Sequence, residues 1–150
     1  MVQKILNESG SNFLIKHKTN GEQIINCDYT VEANDFELRN IDGADYFFAL
    51  ENNFLILDNG TDGSTRSLIV YDLSSQKKVF TSIYFGVTDI NENQVTYWTK
   101  SDLKPSKNNC SNLNEYLANG GSAVIQKKII LNLNSLVKQD IGEVRCSYSE

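Results

Sequence analysis

Tyr46-Phe47-Phe48-Ala49-Leu50, Glu51-Asn52-Asn53 and Phe54-Leu55-Ile56-Leu57 form the stretch that decides the fold. Two apolar runs of strand length flank three polar residues, and asparagine tolerates the positive φ values that tight turns require. The stretch therefore predicts a β-hairpin. Three more apolar runs follow, separated by polar turns, at residues 67–73, 79–85 and 94–99. This succession of short strands is typical of an antiparallel meander.

The rest of the chain adds strands and one helix. Weaker strand patterns lie at residues 12–16, 23–28 and 36–39, and a closing hairpin is predicted from 123–133 and 143–148. After a polar loop, Asn112 and Glu115 have the spacing of a capping box, and Gly120 suits the left-handed position that ends a helix. We therefore predict a single all-β domain over residues 1–150, with one short helix near 113–119.

Two segments of the chain are similar to each other. Leu68-Ile69-Val70-Tyr71-Asp72-Leu73-Ser74-Ser75-Gln76-Lys77 shares with residues 128–138 an apolar run, Asp or Asn, Leu, a polar turn and Lys. The first segment resembles the outer hairpin of a β-propeller blade. Since 150 residues hold at most about three blades, too few to close a ring, we expect a β-sandwich or an open barrel. A partial propeller-like sheet is the alternative.

Acidic residues are concentrated in one part of the chain. Residues 22–62 contain ten acids against Arg39 alone, a net charge of −9, whereas the whole chain carries −5. If these acids share a face, they attract a basic protein and repel nucleic acid, although charge runs are also typical of an ordinary solvated surface. The predicted binding residues are Asp35, Glu37, Asp42, Asp45, Asp58, Asp62 and Trp98. Trp98 is included because Tyr97 and Trp98 must point to opposite faces of a strand, which could expose one ring.

The three cysteines point to a disulfide rather than to a metal site. They contain no C-x-x-C pair, and His17 is the only histidine. Cys110 in a polar loop and Cys146 in the last predicted strand could form a bridge worth about 3 to 4 kcal/mol, whereas Cys27 is expected to be a free thiol in the core. A bridge indicates a periplasmic or secreted protein. Three reduced thiols in the cytoplasm remain the alternative.

No catalytic, cofactor or membrane motif is found. The segment from Asp58 to Gly63 resembles a calcium loop, but Gly60 and Ile69 stand where oxygen ligands are required. His17 has no G-x-S-x-G partner, and no phosphate-binding glycine loop is present. No apolar run reaches the length of a membrane helix. We therefore expect neither an enzyme, a cofactor nor a membrane span.

The function expected from these observations is protein binding. The favoured hypothesis is an exported bacterial inhibitor or immunity-type protein that blocks a basic toxin or hydrolase through its acidic surface. One alternative is an interaction or assembly module of a larger cell-surface complex. Another is a small domain that binds or cleaves carbohydrate. The sequence does not predict an oligomeric state.

Overall fold

The computed structural model describes residues 1–5, 9–16, 28–39, 44–61 and 66–149. Within these ranges the chain forms strands and one short helix, so the all-β prediction is confirmed. The strands are β1 (Val2–Ile5), β2 (Ser11–Ile15), β3 (Phe36–Leu38), β4 (Asp45–Glu51), β5 (Phe54–Asn59), β6 (Arg66–Asp72), β7 (Lys77–Tyr84), β8 (Val87–Asn91), β9 (Gln94–Lys100), β10 (Ser122–Asn132) and β11 (Lys138–Ser149). The helix, α1, is Leu113–Ala118.

The described strands form three antiparallel sheets in which chain neighbours pair. The first sheet contains β1 to β3, the second β4 to β7, and the third β8 to β11. The described strands do not close into a barrel. The hairpin predicted from residues 46–57 is the β4–β5 pair, with Asn52 in the turn at φ 49°.

The second sheet is buried on both faces. Side chains alternate along a strand, so Leu55 and Leu57 point to one face of β5 and Ile56 to the other. Leu55 and Leu57 pack in one cluster with Phe13 of the first sheet, whereas Ile56 packs with Tyr97 of the third. The uninterrupted apolar run of β5 therefore fits a strand with a core on each side. The three sheets form a stack with the second in the middle.

The first three strands of the second and third sheets repeat the same register. Leu55 lies opposite Tyr71 in the second sheet, and Val95 lies opposite Leu131 in the third. The first strand of each sheet carries a bulge at the same place, between Phe47 and Ala49 in β4 and between Val87 and Asp89 in β8. Residues at the same register position of the two sheets are called equivalent below.

The turns of these two sheets are also built alike. The Leu73 backbone N–H donates to the Asn53 carbonyl at 2.9 Å, and the Leu133 N–H donates to the Asn93 carbonyl at 2.8 Å. Each bond ties the turn after the third strand to the turn after the first. The two segments that are similar in sequence are therefore the equivalent third-to-fourth strand hairpins.

Details of the helix and of two strands differ from prediction. The capping box is absent, because Asn112 makes no side-chain cap hydrogen bond, whereas Gly120 takes the predicted left-handed φ of 77°. The sequence analysis missed β1 and β8. In β8 the alternation is obscured by Asp89 and Asn91, and pairing with β9 defines the strand. The strand predicted at 23–28 lies outside the described residues, apart from Asp28.

A disulfide joins Cys110 to Cys146, as predicted, with the two Cα atoms 5.2 Å apart. It fixes the loop before α1 to β11. Close by, the rings of Tyr116 in the helix and Tyr148 in β11 meet edge to face at 5.6 Å. The polar segment that follows β9 is thus held to the third sheet from two sides.

Candidate functional site

Glu37 lies on the outer face of the first sheet. Its neighbours Phe36 and Leu38 pack inward against the second sheet, so Glu37 points away from it. The Glu37 carboxylate accepts a hydrogen bond from Arg39 Nε at 2.8 Å. Burial and the nearby Glu37 charge raise the pKa of Tyr29 to about 12. Glu37 therefore lies on the side of the three-sheet stack that is farthest from the third sheet.

Asp45 lies between the first and second sheets. Its carboxylate accepts a hydrogen bond from Asn59 Nδ2 at 2.7 Å. Burial, with a smaller contribution from the Asp45 charge, raises the pKa of Tyr71, whose ring lies 6.3 Å from that of Phe36 in the first sheet. Asp45 is half-buried, so only part of its charge reaches the surface.

Asp58 faces the opposite way, toward the third sheet. Arg66 Nε donates to its two carboxylate oxygens at 2.7 and 2.8 Å, and the Tyr84 hydroxyl donates at 2.8 Å. The hydrogen bond that Arg66 donates to Asp58 raises the pKa of Arg66. Burial raises the pKa of Tyr84, and the hydrogen bond to Asp58 and its charge raise it further. Only 16% of the Asp58 side chain is exposed. Asp58 is thus an internal ion-pair residue and presents little charge to a partner.

The remaining predicted acids do not bring the set together on one face. The Asp35 carboxylate accepts the Glu32 backbone N–H at 2.9 Å and closes a turn before β3. Asp42 and Asp62 lie outside the described residues, as do Cys27 and His17. The hypothesis that these acids share one face is therefore wrong for Glu37, Asp45 and Asp58. Glu37 lies on the first sheet, and Asp45 and Asp58 lie on opposite faces of the second.

Trp98 is not the exposed ring that was expected. It lies on the outer face of the third sheet, opposite to Tyr97, but only 8% of it is exposed. The Arg145 guanidinium carbon lies 4.3 Å from the ring centroid and Lys128 Nζ lies 5.6 Å from it. Long cationic side chains cover aromatic surface with their stems while their charged ends stay wet. The ring is therefore buried beneath residues of neighbouring strands.

The first strand of the second sheet carries the surface that sequence reasoning missed. Four of its large side chains are 37% to 47% exposed, and we call them the β4 edge: Tyr46, Phe47, Phe48 and Leu50. Among the described strands, β4 is an end strand that pairs only with β5. An edge strand with exposed aromatic groups offers both unpaired backbone groups and anchor side chains to another chain.

Negative charge flanks the β4 edge. Asp45 and Glu51 are the first and last residues of the strand, which lies within the acidic segment 22–62. The Glu51 carboxylate accepts the Asn93 N–H at 3.3 Å, which fixes it at the turn between β8 and β9. Arg66 lies 5.8 Å from the Tyr46 ring centroid. An apolar patch with acids at both ends favours a partner that is basic around an apolar centre.

The fold itself does not require aromatic residues at the β4 edge. In the third sheet the equivalent positions to Tyr46, Phe47 and Phe48 hold smaller residues: Gly86, Val87 and Thr88. The equivalent bulge forms with either set. The signal for this surface was already visible in the sequence as three consecutive aromatic residues, but the stretch was interpreted only as the first strand of a hairpin.

An open groove of about 890 Å³ lies beside the third sheet. It runs between the end of β7, the end of β9, the start of β10 and residues 101–105. Its described lining mixes the exposed apolar side chains of Ile83 and Leu103 with Lys100, Lys104 and Asp102. The groove thus combines aliphatic and charged side chains, whereas the β4 edge is mainly aromatic.

Comparison of the chain with protein-family models, curated proteins and solved structures returned no match. Among the described residues, no three His, Cys, Asp or Glu side chains gather as they would around a metal ion. The described part of the chain likewise has no helix with the length and apolarity needed to cross a bilayer. The functional argument therefore depends on the surfaces alone.

Proposed function

We propose that this chain is a non-enzymatic protein-binding domain that docks a basic partner on its β4 edge. The observation that carries the proposal is the set of large apolar side chains, Tyr46, Phe47, Phe48 and Leu50, on an end strand. Exposed apolar patches of this kind are typical of interaction sites. The equivalent positions of the third sheet hold Gly86 and Val87, so this sheet plan forms without aromatic residues there. The aromatic residues of β4 are therefore better explained by binding than by folding.

The charge pattern supports a basic partner, and the disulfide supports an exported protein. Asp45 and Glu51 flank the patch, and residues 22–62 carry nine net negative charges. A bond between Cys110 and Cys146 persists in an oxidising compartment such as a periplasm or the exterior. Within this proposal, the favoured role is an inhibitor or immunity-type protein that covers the active surface of a basic toxin or hydrolase.

Site-directed photo-crosslinking tests the proposal. A photoreactive phenylalanine analogue replaces Phe48 in the producing cell, and a matched variant carries it at Leu117, which is 56% exposed on α1. We expect an adduct with one basic polypeptide at position 48 and none at position 117. With that partner purified, Phe47→Ser should weaken binding at least 10-fold, and salt should slow association.

Three results would overturn the proposal. Adducts formed only between two copies of this chain would instead support an assembly module. Equal adducts at positions 48 and 117 would show that the β4 edge is not the recognition surface. An association rate independent of salt would show that the acids beside it do not attract a basic partner. Folding of each variant is checked by its urea unfolding transition, so a loss of binding is not confused with a loss of structure.

A further inference from the structure

The outer face of the third sheet carries a row of polar side chains across three strands. Lys100 on β9 lies opposite Gln126 on β10, which lies opposite Arg145 on β11. Trp98 and Lys128 form the next opposed pair on this face. We call these five residues the basic face. Glu143 lies 3.0 Å from Lys128 and neutralises that lysine alone.

The guanidinium of Arg145 is held in a fixed orientation. Its Nε donates to Gln126 Oε1 at 2.7 Å, and a terminal nitrogen donates to the Phe85 carbonyl at 3.1 Å. Gln126 is only 2% exposed, and the guanidinium stacks over Trp98. A stacked, hydrogen-bonded guanidinium loses little further freedom when it binds an oxyanion. The described contacts use two of its five N–H donors.

The charge of the Arg145 guanidinium is not balanced by an acid in the described part of the chain. Among the described residues, no carboxylate lies within 4.0 Å of it. Burial lowers the pKa of Arg145, and no acidic neighbour opposes that change. Arg145 is an exposed residue, so a carboxylate of another chain can reach its guanidinium.

In the second sheet, the equivalent positions hold both a guanidinium and the acid that binds it. There, Asp58, Arg66 and Tyr84 are equivalent to Trp98, Gln126 and Arg145 of the third sheet. In the second sheet the carboxylate of Asp58 binds the guanidinium within the chain. In the third sheet, Trp98 occupies the position of that acid. The guanidinium of Arg145 is therefore left open on the outer face.

We propose that the basic face binds an acidic segment of another polypeptide, with Arg145 holding one carboxylate and Lys100 a second. Two strand spacings separate the backbones of these residues, about 10 Å. An extended chain carries alternate side chains about 7 Å apart, so two carboxylates on it can reach both cations. The face is a sheet surface rather than an enclosed pocket, which favours a chain over a small anion.

Fluorescence anisotropy of a labelled hexaglutamate peptide tests this proposal, with hexalysine as the control peptide. Emission from Trp98 reports on the site itself, because it is the only tryptophan in the chain. We expect saturable hexaglutamate binding that changes Trp98 emission, although the protein carries a net charge of −5. Arg145→Gln should weaken binding about 10-fold, and Arg145→Lys should also weaken it because bidentate contact is lost.

Further variants separate binding from folding. Lys100→Gln changes an exposed side chain and should weaken binding about 3-fold, whereas Lys107→Gln in the loop before α1 should leave it unchanged. Unaltered binding in both Arg145→Gln and Lys100→Gln would overturn the proposal. Displacement of the peptide by inorganic sulfate at the same molar concentration would also overturn it, because the site would then recognise a small oxyanion.

Discussion

The second and third sheets share a backbone plan but differ in what covers them. Both have the same register in their first three strands, the same bulge in the first strand and the same bond between turns. On one face, the second sheet has Ile56, Leu68 and Tyr84, and the third sheet covers them. The equivalent positions of the third sheet hold Thr96, Lys128 and Arg145. The same sheet architecture can thus form a middle layer or an outer layer. A few side chains on one face, apolar in the first case and polar in the second, determine which of the two it forms.

The largest expected effect comes from giving the middle sheet the side chain of the outer one. Leu68→Lys places an ammonium group where Leu68 is fully buried between two sheets. An unpaired buried charge is among the strongest single destabilisations known, so we expect a loss of about 4 kcal/mol or more. Since whole domains are stable by only about 5 to 15 kcal/mol, urea unfolding should show a protein that is largely unfolded or has a much lower midpoint.

The reverse substitution is the matched control. Lys128→Leu removes a cation near Trp98 from a position that is already wet at its outer end. We expect a change within about 1 kcal/mol, since a surface ion pair and a distant cation–π contact contribute little. Comparable losses in both variants would show that the two sheets are not distinguished by burial.

A smaller effect is expected from the internal ion pair of the second sheet. Asp58→Asn keeps a hydrogen-bond acceptor for Tyr84 but replaces the charged partner of Arg66 with a neutral amide. Arg66 is 27% exposed, so we expect a loss of about 2 kcal/mol rather than the larger cost of a fully buried charge. Urea unfolding at neutral pH measures this loss.

The third sheet supplies the comparison for that variant. Lys127 and Asp140 form an ion pair at 3.2 Å that is open to solvent. Asp140→Asn should therefore have little effect on the free energy of unfolding, because solvent screens an exposed ion pair. A cost for Asp58→Asn no greater than this one would mean that the second sheet does not depend on its internal pair.

The sequence predicted the elements well because local patterns determine them. The run from Tyr46 to Leu57 and its Asn-rich turn specify a hairpin without reference to the rest of the chain. Cys110 and Cys146 were correctly paired from their positions in a loop and a strand. These features depend on period-two alternation and on turn chemistry, both of which can be followed residue by residue.

The positions of the site residues could not be predicted because they depend on the order of the layers. Asp45 and Asp58 lie in paired strands of one sheet but on opposite faces, and strand parity assigns a face only once the register is known. Trp98 is covered by Arg145, which is distant in sequence and comes close only through β10. The β4 edge is visible in the sequence, but burial and exposure of an aromatic run cannot be distinguished there.

The smallest expected effect concerns the turn that the two sheets share. Asp72 accepts hydrogen bonds from the Ser75 hydroxyl at 2.8 Å and the Ser74 N–H at 2.9 Å, and these bonds hold its pKa below the usual range. A carboxyl group whose pKa falls on folding stabilises the fold above its unfolded pKa, and that contribution is lost as the pH falls through its folded pKa. Asp72→Asn installs the residue of the equivalent turn, Asn132.

We therefore expect Asp72→Asn to lose less than about 1 kcal/mol at pH 7, because the group lies near the surface. The difference from the parent chain should shrink below about pH 4, where the unfolded carboxyl begins to take up its proton. Urea unfolding at several pH values between 7 and 2 measures both. A difference that stays constant over this range would mean that the Asp72 charge adds nothing to the turn, and that the amide of Asn132 and the carboxylate of Asp72 serve the two sheets equally.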